Sequence, residues 1–110
     1  MKLAQLILPL LDNGGHDLFE VHRDLQFHLL ARWGGYTSVE AVGGWKNAHD
    51  KLFKERVVVY SIAMPLGDVV KLRALAAFFA RRAKQESVMI VTPNGDVDFI
   101  HPQAEERASA

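Results

Sequence analysis

The spacing of apolar residues changes repeatedly along the chain and divides it into short elements. Leu3 to Leu10 is a compact apolar run of strand length, closed by Pro9 and the turn-forming Asp12-Asn13-Gly14-Gly15. It predicts a first strand buried on both faces. From about His16 to Arg32 the period lengthens: Leu18, Val21, Leu25, Leu29 and Arg32 fall on one helical face, with His22 at its margin. Asp17 and Glu20 occupy the first turn and Arg32 the last, as the helix dipole prefers. Gly34-Gly35 supplies the stop, because glycine accepts the left-handed C-cap conformation. Phe19, Phe27 and Leu30 lie off the stripe and read as apolar surface scatter.

Alternation returns at Tyr36 to Trp45, with Tyr36, Ser38, Glu40 and Val42 on one face and Thr37, Val39 and Ala41 on the other. Gly43-Gly44 predicts a bulge or bend within this strand. A polar connection, Asn47 to Lys51, leads to Leu52–Met64, whose VVVYSIAM core carries the strongest strand signal in the chain. After Pro65, Gly67-Asp68 opens a second helix to about Gln85, with Asp68 as cap or first-turn acid. Its inward stripe is Val69, Leu72, Leu75, Ala76, Phe79 and Ala83, and Arg81, Arg82 and Lys84 weight its end with positive charge. Val88 to Thr92, the turn Pro93-Asn94-Gly95-Asp96, and Val97 to His101 predict a closing hairpin. The polar tail after Pro102 is expected to fray.

The order β-α-β-β-α-β, with an additional C-terminal edge strand, is the ferredoxin-like α+β arrangement. Right-handed crossovers place both helices on one face of an antiparallel sheet and leave the other face bare. Residues 1–102 are expected to form one domain and 103–110 a flexible tail.

Composition narrows the function classes. Thirteen basic and thirteen acidic residues cancel, which removes the whole-chain field that nucleic acids or anionic membranes attract, and lowers repulsion between copies. The absence of cysteine excludes disulfides, thiolate nucleophiles and Cys-ligated metal sites. The N-terminal apolar run is short, interrupted by Gln5, and lacks a small-residue cleavage site, so a cytoplasmic location is expected.

The candidate chemistry is sparse. His16, His22 and His28 are spaced by six, which turns successive imidazoles about 120° apart at helical pitch, so no metal site is expected. No G-x-S-x-G elbow is present. Gly34-Gly35 follows a helix and Gly43-Gly44 lies in a hairpin, so neither is a phosphate loop, and no cofactor is implied. Arg81-Arg82-x-Lys84 has no interleaved aromatics and reads as a solvated helix end. Glu40 and Glu55 form a carboxylate pair in some registers of the hairpin and are separate exposed glutamates in others. Tyr36, Glu40, Trp45, Glu55 and Tyr60 stand out as a cluster on the bare face or its rim, read either as ligand or interface residues or as packed aromatics.

The motifs Gly34-Gly35-Tyr36-Thr37, Gly44-Trp45, Glu55 before Val57-Val58-Val59, and Gln85-Glu86-Ser87-Val88 resemble a group of small, uncharacterised bacterial ferredoxin-like proteins. The resemblance implies the fold and carries no catalytic assignment. The leading expectation is a non-enzymatic homo-oligomeric module that uses the sheet face and central hairpin. The alternatives are a small enzyme of the dimeric α+β-barrel kind acting on an apolar or aromatic molecule, with His22, Glu40 or Glu55 as first candidates, and a metabolite-sensing oligomer.

Overall fold

The computed structural model describes residues 1–102. The expected fraying of residues 103–110 lies outside them. The elements are β1 (Lys2–Pro9), α1 (Phe19–Trp33), β2 (Thr37–Lys46), β3 (Leu52–Met64), a 3₁₀ turn (Leu66–Asp68), α2 (Val69–Arg82), β4 (Val88–Val91) and β5 (Val97–Ile100). The sheet order is β2-β3-β1-β4-β5, and every neighbouring pair is antiparallel. This is the ferredoxin-like α+β fold with one added edge strand, as the patterning predicts.

Both helices pack on one face. Ala4, Leu6 and Leu8 of β1, Val58, Tyr60, Ile62 and Met64 of β3, and Val88 and Ile90 of β4 form a core with Leu25, Leu29, Leu72 and Phe79. The expectation that β1 is buried on both sides is corrected. Its alternate residues Leu3, Gln5 and Ile7 face away from the helices, and Leu3 is 61% exposed. Neither helix packs on that face, although Pro9 and Val57 at one end of it are buried.

Helix α1 begins later than its periodicity suggests, because local hydrogen bonds occupy the residues before it. Asp12 Oδ1 accepts the backbone N–H groups of Gly14 and His16, and Asp17 Oδ1 accepts that of Phe19. A short bridge between Leu11 and Asp17 closes the loop. The backbone donor of His16 holds the Asp12 carboxyl below its ordinary range. At the other end Gly34 adopts φ 80° and donates to the Leu30 carbonyl, the expected left-handed stop.

The inward stripe of α1 is Leu18, His22, Leu25 and Leu29, whereas Arg32 is exposed. Trp33 turns inward instead and donates its indole N–H to Asp68 Oδ2 at 2.9 Å. Asp68 therefore does not cap α2 through its side chain. It ties the end of α1 to the start of α2 and also pairs with Lys71.

The long hairpin departs from expectation in one respect. Gly43 and Gly44 pair one-to-one with Glu55 and Lys54, so the strand continues through them without a bulge. Strand β1 ends at Pro9, opposite Val57. The Leu10 N–H still donates to the Arg56 carbonyl at 3.0 Å, and beyond it the pairs from Gly43–Glu55 to Lys46–Leu52 project as a two-stranded arm. The Asn47 carboxamide closes the arm's tip by accepting the N–H groups of His49 and Lys51.

Candidate functional site

On the helix side of the sheet, α1 packs against β3 and leaves the helix-facing residues of β2 uncovered. The result is a cleft of about 600 Å³ between the start of α1 and the β2–β3 pair. Its floor is Val58 and Tyr60 of β3, one wall is His22 and Gln26 of α1, and the other is Ser38, Glu40 and Arg56. The loop residues Leu10, Leu11, Asp17 and Phe19 close one end. The volume and the mixture of apolar walls with a few polar groups suit a small-molecule site.

Sequence spacing explains how the polar groups converge. His22 and Gln26 are four apart and share one face of α1. Tyr60, fully buried beneath them, presents its hydroxyl to both. His22 Nε2 lies 2.7 Å from the Pro9 carbonyl, which only accepts, so Nε2 carries a proton and donates it. In the neutral imidazole, Nδ1 then accepts the Tyr60 O–H at 2.7 Å. Gln26 Nε2 donates to the Tyr60 oxygen at 3.1 Å. Burial pushes the Tyr60 phenol above its ordinary pKa, so it serves as a proton-bearing donor rather than a phenolate. Tyr36 packs edge-on against the Tyr60 ring at 5.6 Å and braces it.

The rim carries charge. Arg56 donates to Glu40 Oε1 at 2.7 Å, and their side chains are 70% and 61% exposed. An ion pair so exposed contributes about 0–1 kcal/mol, so a ligand group can replace either partner at little cost. With Asp17 and Glu40 against Arg56, the lining carries a formal excess of one negative charge. That balance favours a cationic or hydroxyl-bearing ligand.

The five residues singled out by the sequence do not form one cluster. Tyr36, Glu40 and Tyr60 lie on the helix side, where Glu40 pairs across from Val58. Trp45 stacks on Phe53 at 4.4 Å, and Glu55 pairs across from Gly43, both on the opposite face. Glu40 and Glu55 therefore cannot act as a carboxylate pair, because an odd number of strand steps separates their faces. His22 joins Glu40 at the cleft, and Glu55 does not. Gln26, Ser38 and Arg56 were absent from the expected set. The i, i+4 spacing of Gln26 from His22 pointed to it, but Arg56 became legible only once the register was known. Among the described residues, no group of three or more His, Asp and Glu side chains is gathered to hold a metal ion.

No protein-family model and no curated protein matches the chain. Solved structures do. A phage SAM lyase in complex with S-methyl-5'-thioadenosine is 22% identical with a TM-score of 0.67, the match covering 96% of this chain and 90% of that one. A phage SAM lyase in the apo state is 23% identical with a TM-score of 0.67, covering 94% and 91%. This likeness shows a shared fold along nearly the whole of both chains. Both neighbours are lyases. No helix among the described residues is long and apolar enough to cross a membrane.

Proposed function

We propose that the protein is a small enzyme that binds an S-adenosylmethionine-class sulfonium nucleoside in the cleft between α1 and the β2–β3 pair and cleaves it. The observation that carries this reading is the cleft itself, with its hydrogen-bonded His22–Tyr60–Gln26 wall and its charged Glu40–Arg56 rim. The lyase fold likeness supports the choice of substrate class by analogy. A cytoplasmic location accompanies it, since such nucleosides are intracellular metabolites.

The chemistry asks little of the protein. To leave S-methyl-5'-thioadenosine, the bond between sulfur and the amino-acid chain breaks and sulfur keeps the bonding pair. The carbon that loses sulfur forms a bond to an oxygen of the substrate's own carboxylate and closes a lactone, or an adjacent C–H proton passes to a base such as the Glu40 carboxylate and its electron pair forms a carbon–carbon double bond. No cofactor enters that balance. The positive sulfonium becomes a neutral thioether, so charge is lost as the reaction proceeds. The acidic rim attracts the cation, and the apolar walls formed by Leu10, Leu11, Phe19 and Val58 favour the less charged transition state. Glu40 is suited to a ribose diol or ammonium group, and Arg56 to a carboxylate.

The test is incubation of the purified protein with S-adenosylmethionine, following S-methyl-5'-thioadenosine by chromatography, with calorimetric binding of both compounds. Product formation that falls at least about tenfold in Glu40→Gln and Tyr60→Phe supports the reading. Binding without turnover favours the metabolite-sensing alternative. Neither binding nor turnover removes the nucleoside reading.

A further inference from the structure

The sheet face turned away from the helices is unusually bare of charge. Val39, Val59 and Ile7 stand in one row across β2, β3 and β1, and Met89 pairs with Phe99 on β4 and β5. Val39 and Phe99 are 59% and 57% exposed. The polar row on this face, Thr37, Ser61 and Gln5, is uncharged, and within it Gln5 donates to the Ser61 hydroxyl at 3.1 Å. Glu55 is the one charged strand residue on that side among the described residues, and it sits where the projecting arm leaves the sheet. A largely apolar, almost uncharged face of this kind on a folded chain marks an interaction surface.

The arm points to the same conclusion. Its Trp45–Phe53 stack lies on the bare side and extends beyond the end of β1, so its own sheet cannot cover it. A two-stranded ribbon is marginal in water without packing against something else. We propose that a second copy of this chain covers the open face, with the arm's aromatic stack included in the contact and Glu55 at its rim.

The dimensions argue for a copy of the chain rather than a small ligand. Strand spacing of about 4.8 Å and a rise of about 3.3 Å per residue give the sheet face and arm together roughly 650 Å². A standard stable interface takes about 600–1,000 Å² from each partner, so the face matches one self-complementary surface. The formal net charge of zero removes long-range repulsion between copies. An apolar centre bordered by one carboxylate and a polar arm tip also follows the usual core-and-rim anatomy of an interface. This inference is independent of the cleft, which lies on the other side of the sheet.

Sedimentation velocity of the full chain, from micromolar to submillimolar concentration, tests it. The wild type is expected to sediment as a dimer or larger assembly. Val59→Lys places a charge at the centre of the face and is expected to weaken association at least about a hundredfold, giving monomer with unchanged far-ultraviolet circular dichroism. Phe27→Lys, on the outer side of α1 where Phe27 is 74% exposed, is expected to leave the assembly intact. Val39→Lys on edge strand β2 provides the same test should Val59→Lys fail to fold. A wild type that remains monomeric throughout overturns the proposal, as does an assembly that survives the face substitutions or dissolves with Phe27→Lys. S-Adenosylmethionine turnover by a strict monomer would retain the enzyme reading while removing this one.

Discussion

The two faces of the sheet are made from the same strands in alternation, yet they differ in almost every physical respect. The helix side is closed by α1 and α2 over the centre of the sheet, holds the fully buried Leu6, Leu8, Tyr60 and Ile62, and opens at the β2 edge into the cleft. The other side is largely apolar too, but neither helix packs on it, and only its end at Pro9 and Val57 is buried among the described residues. Helix-side apolar residues are therefore stabilised within the chain, whereas those on the bare side gain comparable burial only from another molecule. Polar chemistry gathers at the one place where helix cover runs out.

The largest expected effect comes from the closed face. Leu6→Ala removes a fully buried side chain and should destabilise the chain by about 2–5 kcal/mol in urea unfolding, through lost burial and the cavity left behind. A loss as small as that of an exposed-face variant would mean that the two faces are not energetically distinct.

Tyr60→Phe should follow, with a cost of about 1–3 kcal/mol. It keeps the ring in the core but leaves the His22 and Gln26 groups in the network without their shared partner. Equal unfolding midpoints for the variant and wild type would show that the network belongs to the cleft and contributes nothing to the fold.

A third effect is confined to acid. Asp98 faces the helix side and pairs with Arg73 of α2 at 2.6 Å, which holds its carboxyl below the ordinary range. Its lowered folded pKa makes the pair stabilising above the unfolded carboxylate value. That stabilisation is lost as pH falls through the folded value. Asp98→Asn should therefore lower the melting temperature at neutral pH and narrow its difference from wild type as the solution is acidified. A gap that widens toward acid would reverse the sign assigned to this pair.

The smallest effect belongs to the bare face. Val39→Thr should change unfolding of the dissociated chain by no more than about 0.5 kcal/mol, because the residue is already in water. At concentrations where copies associate, the same substitution should lower the melting temperature measurably, since association stabilises by mass action. A cost in the dissociated chain comparable to that of Leu6→Ala would show that something within the chain covers this face.

Local chemistry determined much of this protein. A compact apolar run, strand alternation and the change to period 3.6 together located all five strands and both helices, because a strand or helix must bury its own apolar face wherever it packs. Gly34 stopped α1 as expected, since the left-handed conformation is cheap only for glycine. Alternation along β2 also separated its two faces correctly. Other features depended on partners distant in sequence. The register of β3 against β2 set Glu40 and Glu55 on opposite faces and brought Arg56 to Glu40. The early end of β1 left the glycines and Trp45 on a free arm. The inward turn of Trp33 depended on Asp68, and the burial of His22 on Pro9 and Tyr60. The chain's periodicity determined which residues could share a face. Strand register and helix placement decided which of those faces became a core, a cleft or an uncovered surface, because those choices are made between segments rather than within them.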